Sequence, residues 1–150
     1  MTKEEKISNI LDYVAQYNRK MYQYGKDTRC YGTSHQLRAD QIHLIDQIGR
    51  NLGCNLRYLS ESTGTGVPTI SLQVDRLKKM GLVTKHRSAS NQREIEIGLT
   101  PEGETAFQFH QKLDEDYFFT AFQGLSRYNE EQLAVILDFM NSLLNKDLNI

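Results

Sequence analysis

The sequence predicts a mainly α-helical fold with one small β-hairpin, an α+β arrangement, in a chain of 150 residues. Three observations predict it. Apolar residues recur at three-and-four spacing along most of the chain, which is typical of amphipathic helices. Only residues 82–99 change to short β-capable runs around a polar tip. The composition, 39% hydrophobic and 25% charged, indicates a globular protein rather than a disordered or fibrous one.

Two helices separated by a loop are predicted in the first third of the chain. The first helix carries an apolar stripe over residues 7–21, and Gly, Asp, Thr and Ser residues at 24–34 indicate a loop. A second helix is predicted over residues 38–51 from its regularly spaced isoleucines. Gly53 follows it, as expected for a helix C-terminus.

A short helix, a glycine-containing turn and a longer helix come next. The short helix is predicted over residues 56–62, and the turn at 63–66 includes Thr65 as a candidate N-cap. Pro68 suits the first turn of the longer helix, because the N–H that proline lacks would be unpaired there. Gly81 ends this helix.

The β-hairpin follows directly, and two further helices complete the chain. Its strands are predicted at residues 82–87 and 94–99, with a turn-rich tip at 88–92. A long helix is expected over residues 101–125, opened by a Thr-Pro-Glu sequence that suits a helix N-terminus. The last helix is expected over residues 129–145.

A helix, a tight turn and a second helix followed by a hairpin form a winged helix-turn-helix, in which the second helix fits the major groove of DNA. The charge pattern agrees with this interpretation, because residues 57–93 hold seven basic and two acidic side chains while the whole chain has a net charge of −1. The predicted DNA-binding residues lie on the second helix and the wing: Val67, Pro68, Thr69, Ser71, Leu72, Arg76, Lys78, Lys79, Lys85, Arg87 and Arg93.

Two motifs resemble the MarR family of bacterial transcription regulators: TISLQVDRLKKMGLV at residues 69–83, similar to its recognition helix, and IGLTPEG at 97–103, similar to the end of its wing. The resemblance extends over nearly the whole chain. It implies that Arg93 supports the wing by pairing with Asp75. Asn91 stands where the family's wing tip has an acid, so Lys85 or Arg87 is expected to take over the minor-groove contact.

The resemblance also implies a homodimer in which the first helix and the last two helices of each protomer interlock. It divides the chain into a helical dimerisation region, residues 1–34 and 101–150, and a winged helix-turn-helix DNA-binding domain, residues 35–100. Such a dimer places two recognition helices about 34 Å apart and therefore needs a palindromic operator. We expect a repressor that a small ligand modulates, with a pocket lined by Tyr13, Tyr17, His43 and Phe109.

Alternative functions rest on Cys and His residues. Cys30, His43, His110 and Asp114 are candidate metal ligands, and Cys30 is a candidate redox-sensing thiol, which would make the chain a metal- or redox-responsive regulator of the same family. A small Cys/His enzyme is another alternative, with Cys30 as nucleophile and His43 or His110 as base, although no local motif indicates a third catalytic group or an oxyanion site. A winged helix that binds only protein partners is a third alternative.

No cofactor is expected, and the main partner is expected to be double-stranded DNA rather than a membrane. The longest apolar runs are three or four residues, far short of the roughly 20 that cross a bilayer. The mixed-charge start of the chain does not resemble a secretory signal, so a cytoplasmic location with Cys30 and Cys54 as free thiols is expected.

Overall fold

The computed structural model describes residues 1–145, which form six helices and one two-stranded antiparallel sheet. This confirms the predicted mainly α fold with a small hairpin. The elements, in chain order, are α1 (Lys3–Lys26), α2 (Ala39–Arg50), α3 (Leu56–Thr63), α4 (Val67–Lys79), β1 (Val83–Arg87), β2 (Ile95–Leu99), α5 (Pro101–Leu125) and α6 (Glu130–Leu144). The end of the predicted dimerisation region, residues 146–150, lies outside the described residues.

Two details at helix ends differ from the prediction. α1 continues to Lys26, into the predicted loop, where the N–H of Asp27 still donates to the carbonyl of Gln23. The N-cap of α4 is Gly66, so the prediction of Thr65 was wrong. Thr65 instead closes the end of α3: its N–H donates to the carbonyl of Ser60 at 3.2 Å, and its own carbonyl accepts from the Ser60 hydroxyl at 2.7 Å.

The core lies where α2, α3 and α4 meet the hairpin. Its side chains are aliphatic, and those with less than 2% exposure include Leu37, Ile42, Ile45, Ile48, Leu59, Ile70, Val74, Leu77, Leu82 and Ile97. They come from elements far apart in sequence, so this region forms a continuous apolar core. Cys54 is also buried here, and burial raises the pKa of its thiol. Cys30 and Cys54 are both free thiols, as predicted.

The start of α5 is fixed to the end of α4. The Thr100 hydroxyl donates to the carbonyl of Gly81 at 2.6 Å and accepts from the N–H of Gly103 at 3.1 Å, which caps α5. A Cβ added at Gly103 would lie 2.0 Å from the carbonyl oxygen of Leu82. Glycine is therefore required at this position because the two backbones touch.

The hairpin is a regular antiparallel ladder that pairs Val83 with Leu99 at its base and Arg87 with Ile95 at its far end. Residues 88–94 connect the strands. The N–H of Ile97 donates to the carbonyl of Cys54 at 2.8 Å, so β2 is also joined to the segment between α2 and α3. This hydrogen bond holds the wing against the helices.

The chain divides into two compact units, residues 1–111 and residues 112 onward. In the first unit α1 buries none of its residues and exposes a set of apolar side chains: Ile7, Ile10, Leu11, Tyr13, Tyr17, Met21 and Tyr22. In the second unit the exposed apolar set is Tyr117, Phe118, Phe119, Phe122, Leu125, Val135, Leu137, Met140, Leu143 and Leu144. As far as residues 1–145 go, no helix combines the length and apolar character needed to span a bilayer.

Candidate nucleic-acid interface

α4 has two faces with opposite character. Ile70, Val74 and Leu77, at four- and three-residue spacing, are fully buried in the core. A helix turns 100° per residue, so the face opposite these three residues is centred on Leu72, with Pro68 one turn before it and Lys79 two turns after it. Leu72 is 60% exposed. The apolar core therefore fixes which side of α4 is presented outward.

Most of the side chains predicted to contact DNA on α4 lie on its accessible surface. Those that are exposed are Val67, Pro68, Thr69, Leu72, Arg76, Lys78 and Lys79. Ser71 is half-buried, since it lies at the boundary between the two faces. The order along the helix is apolar and hydroxyl groups first and cationic groups last. The basic side chains in the last turn also suit the negative end of the helix dipole.

The predicted ion pair between Asp75 and Arg93 is wrong. The ammonium nitrogen of Lys85 lies 2.5 Å from Oδ1 of Asp75, and it is Lys85 that joins β1 to α4. Lys85 reaches the carboxylate because it lies in the middle of β1, next to α4, whereas Arg93 lies in the connection beyond the strand ends. The hydrogen bond from Lys85, together with the charges of Lys78 and Lys79, lowers the pKa of the Asp75 carboxyl.

The same contact changes the interpretation of Lys85. Its side chain is only 18% exposed, and its ammonium is held by a carboxylate. It is therefore a support of the wing rather than a free cation for phosphate, in contrast to Arg76, which is exposed on α4.

The wing tip carries two exposed arginines, Arg87 and Arg93. Nη1 of Arg87 donates to the carbonyl of Gln92 at 2.9 Å, which positions the guanidinium beside the turn. Asn91, which replaces the family's acid, accepts the N–H of Arg93 on its side-chain oxygen at 3.1 Å and the N–H of Glu94 on its carbonyl at 2.9 Å. Asn91 thus organises the tip, and both cations remain accessible.

The residues predicted to line a ligand pocket divide into two groups. His43 and Phe109 belong to an aromatic cluster: the rings of His43 and His110 are 5.7 Å apart, and Tyr31 lies 6.4 Å from Phe109 and 6.0 Å from His110. Tyr13 and Tyr17 lie on α1 with 69% and 52% exposure.

A cleft of about 260 Å³ lies elsewhere in the same unit, between the end of α2, the hairpin and α5. None of the four predicted pocket residues lines it. Its lining residues include Ile48, Leu52, Glu96, Leu99 and Glu104.

The candidate metal ligands do not form a site in the part of the chain that the structure describes, because no three His, Cys, Asp or Glu side chains are grouped closely enough to hold an ion there. The thiol of Cys30 accepts a hydrogen bond from the side-chain amide of Gln36 at 2.9 Å. The rings of His43 and His110 meet edge to face.

A polar cluster that the sequence analysis did not find connects α2 to α5. Asp46, only 8% exposed, accepts from Nε of Arg50 at 2.7 Å and from the side-chain amide of Gln111 at 3.0 Å. Nδ1 of His110 lies 3.7 Å from the same carboxylate. Only the spacing of Asp46 and Arg50, one helical turn, was visible in the sequence.

The part of the chain that forms α2–α4 and the hairpin also matches a protein-family model. The MarR family model matches residues 37–95, from the start of the core to the first residue of β2. This winged helix-turn-helix is the part of the chain that is similar to the MarR family. Its Asp-Arg-Leu sequence supplies Asp75, the carboxylate that holds the MarR-type wing, and Leu77, which is fully buried in the core.

Relatives agree with this assignment. YhjH of Bacillus subtilis, an uncharacterised helix-turn-helix-type transcriptional regulator, is 27% identical over 120 residues, which are 77% of this chain and 66% of that protein. The chain thus spans just under two thirds of the length of this curated relative. YhjH is named as a transcription regulator, which agrees with the non-enzymatic function expected from the sequence.

Solved structures share the fold over nearly the entire chain. FabT of Streptococcus pneumoniae in complex with DNA superimposes with a TM-score of 0.68 at 18% identity, covering 95% of each chain. ZitR of Lactococcus lactis in complex with DNA gives a TM-score of 0.72 at 16% identity, covering 96% of this chain and 97% of that one. At these identities the likeness shows the MarR-type fold.

Proposed function

We propose that this chain is a sequence-specific DNA-binding transcription regulator that acts as a homodimer on a palindromic operator. The observation that carries the proposal is the outward face of α4. On one side of α4, Ile70, Val74 and Leu77 are fully buried in the core, and the opposite side is accessible along the whole helix. A helix presented in this way in a winged helix-turn-helix fits the major groove, which is about 12 Å wide.

The distribution of cations supports the same orientation. Arg76, Lys78 and Lys79 are exposed at the end of α4, and Arg87 and Arg93 are exposed at the wing tip. Phosphates line both sides of the major groove, so cations at the far end of the recognition helix and on the wing can contact the backbone while the start of the helix meets the base edges. FabT and ZitR, which share the fold, are both found in complexes with DNA.

Exposed apolar surface supports the homodimer. α1 and α6 are amphipathic helices with no buried residue, and Phe118 and Phe122 on α5 are each 71% exposed. Exposed patches of this kind mark surfaces that a partner covers. We assign them to a second copy of the chain, with dimerisation in residues 1–34 and 101–150 as the sequence predicts.

Repression and modulation by a small ligand stay predictions. A dimer bound over a promoter excludes the transcription machinery, so we expect lower expression of a reporter placed behind the operator. Of the predicted pocket residues, His43 and Phe109 are exposed members of the aromatic cluster, and we expect an aromatic effector to contact their rings, with Tyr13 and Tyr17 as the other predicted contacts. A small molecule qualifies as an effector if it releases the operator DNA from the purified protein.

The decisive experiment is selection of duplexes from a random pool by the purified chain, followed by affinity measurements over a salt series. A DNA-binding regulator enriches one palindromic sequence, and its affinity falls linearly on a log–log plot with a slope of several phosphates. Enrichment of no sequence, together with a flat salt dependence, would contradict the proposal and favour a winged helix that binds proteins.

A further inference from the structure

The exposed side of the first two turns of α4 is largely apolar. Val67 is 44% exposed and Leu72 is 60% exposed, and Pro68, also exposed, lies one turn before Leu72. None of these three side chains is needed for the core, which Ile70, Val74 and Leu77 complete from the same helix. A single exposed leucine is ordinary, but three apolar side chains within six residues at the start of a recognition helix call for a partner surface.

The same stretch has few groups that read bases through paired hydrogen bonds. Guanine is read by Arg or Lys and adenine by Asn or Gln, each through two hydrogen bonds in the major groove. The first basic residue of α4 is Arg76, in its third turn, and Gln73 is half-buried beside the core face. Thr69 is the exposed hydroxyl among the first residues. The major-groove feature that an apolar side chain recognises is the C5-methyl group of thymine.

We propose that Leu72, with Pro68 beside it, determines operator specificity by contacting a thymine methyl group in each half-site. The inference rests on the proposed function, because it assigns α4 to the major groove. Leu72 is the residue diametrically opposite the buried face, so it reaches furthest into the groove when α4 is inserted. Thr69 lies next to it and supplies a hydrogen bond to a neighbouring base edge.

Deoxyuridine tests the contact, because it keeps every hydrogen bond of thymine and lacks only the methyl group. Each thymine of the selected operator is replaced in turn, at equivalent positions of both half-sites, and the affinity of the full-length chain is measured at constant salt. We expect one position at which the replacement weakens binding by about fourfold per half-site, the effect of exposing one methyl group. 5-Methylcytosine at a cytosine-substituted site should restore part of the loss.

Leu72→Ala should then abolish the difference between thymine and deoxyuridine at that position. Leu52→Ala is the matched control, because Leu52 is a 94%-exposed leucine between α2 and α3, outside α4, and this variant should keep the full difference. Circular dichroism confirms that both variants fold, which is expected since neither side chain is buried. Unchanged affinity for all deoxyuridine operators, or an undiminished difference in Leu72→Ala, would overturn the inference.

These outcomes are distinguishable from failure of the proposed function. A chain that selects no duplex at all contradicts DNA binding itself. A chain that binds its operator with normal salt dependence and ignores every thymine methyl contradicts only the role of Leu72.

Discussion

The winged helix and the helices at the ends of the chain differ in where their apolar residues lie. α2, α3, α4 and the hairpin bury theirs against one another, with eleven large aliphatic side chains below 2% exposure in residues 37–97. α1 and α6, although also amphipathic, bury no residue. The same helical periodicity thus produces a completed core in one region and an uncovered surface in the other.

This difference teaches that the two regions depend on different contacts. The winged helix is stabilised within one copy of the chain, because its hydrophobic surface is removed from water by its own elements. The end helices gain that stabilisation only when another surface covers them. We therefore expect substitutions in the two regions to separate into effects on folding and effects on association.

The largest expected effect is a loss of stability when a side chain is removed from the core of the winged helix. Leu77→Ala removes a fully buried side chain of α4 and should lower the free energy of unfolding by about 3 kcal/mol. Urea unfolding followed by circular dichroism measures it. Leu52→Ala, at a 94%-exposed leucine of the same region, should change the value by no more than about 0.5 kcal/mol. Equal losses in both variants would mean that the core is not where the structure places it.

The next effect is on association. Phe122→Ala removes a 71%-exposed aromatic ring from α5. It should weaken the dimer by about 2 kcal/mol, which is roughly a thirtyfold rise in its dissociation constant. Sedimentation equilibrium measures this, with Glu115→Ala on the same helix as the control. If Phe118→Ala and Phe122→Ala both leave the dissociation constant of the dimer unchanged, the exposed apolar surface of α5 is not part of the dimer interface.

A smaller effect separates two cations of the winged helix. Arg76→Ala should reduce the slope of the log–log salt dependence of DNA binding by about one, because an exposed arginine releases a counterion when it contacts phosphate. Lys85→Ala should change the slope less, since Asp75 already holds its ammonium. Arg127→Ala, in the second unit, is the control. A larger slope change for Lys85 than for Arg76 would contradict the assignment of Lys85 to wing support.

The smallest effect concerns the ion pair between Asp75 on α4 and Lys85 on β1. The pKa of Asp75 is lower in the folded chain than in the unfolded one, so its contribution to stability is complete above the unfolded pKa of about 4 and disappears as the pH falls through the folded value. Wild type and Asp75→Asn should therefore differ by a small, constant amount near neutral pH and converge in acid. The pair is partly exposed and solvent-screened, which keeps the difference small. A difference that grew toward acid would exclude this origin.

Much of the winged helix could be predicted because its signals are local. Pro68 at the start of α4, Gly81 after its end and Thr100 at the start of α5 each act within a few residues, and the structure uses them as expected. The outward face of α4 also follows from the spacing of its buried residues alone. Local periodicity therefore predicted both the fold and most of the candidate interface.

Contacts between distant residues could not be predicted in the same way. Asp75 was predicted to pair with Arg93, and it pairs with Lys85 instead, because the partner depends on how the hairpin lies against α4. Asp46 and Gln111 are 65 residues apart, and no periodicity connects them. Thr65 was the predicted cap of α4, but its hydrogen bonds to Ser60 hold it at the end of α3 and leave Gly66 as the cap.

Hydroxyl-radical footprinting of the selected operator tests the central claim most directly, because it reports the recognition helix and the second copy together. We predict two protected stretches related by twofold symmetry, with centres about one helical turn, or 10 base pairs, apart. A single protected stretch, or protection without symmetry, would contradict a homodimer that places α4 of each copy in the major groove.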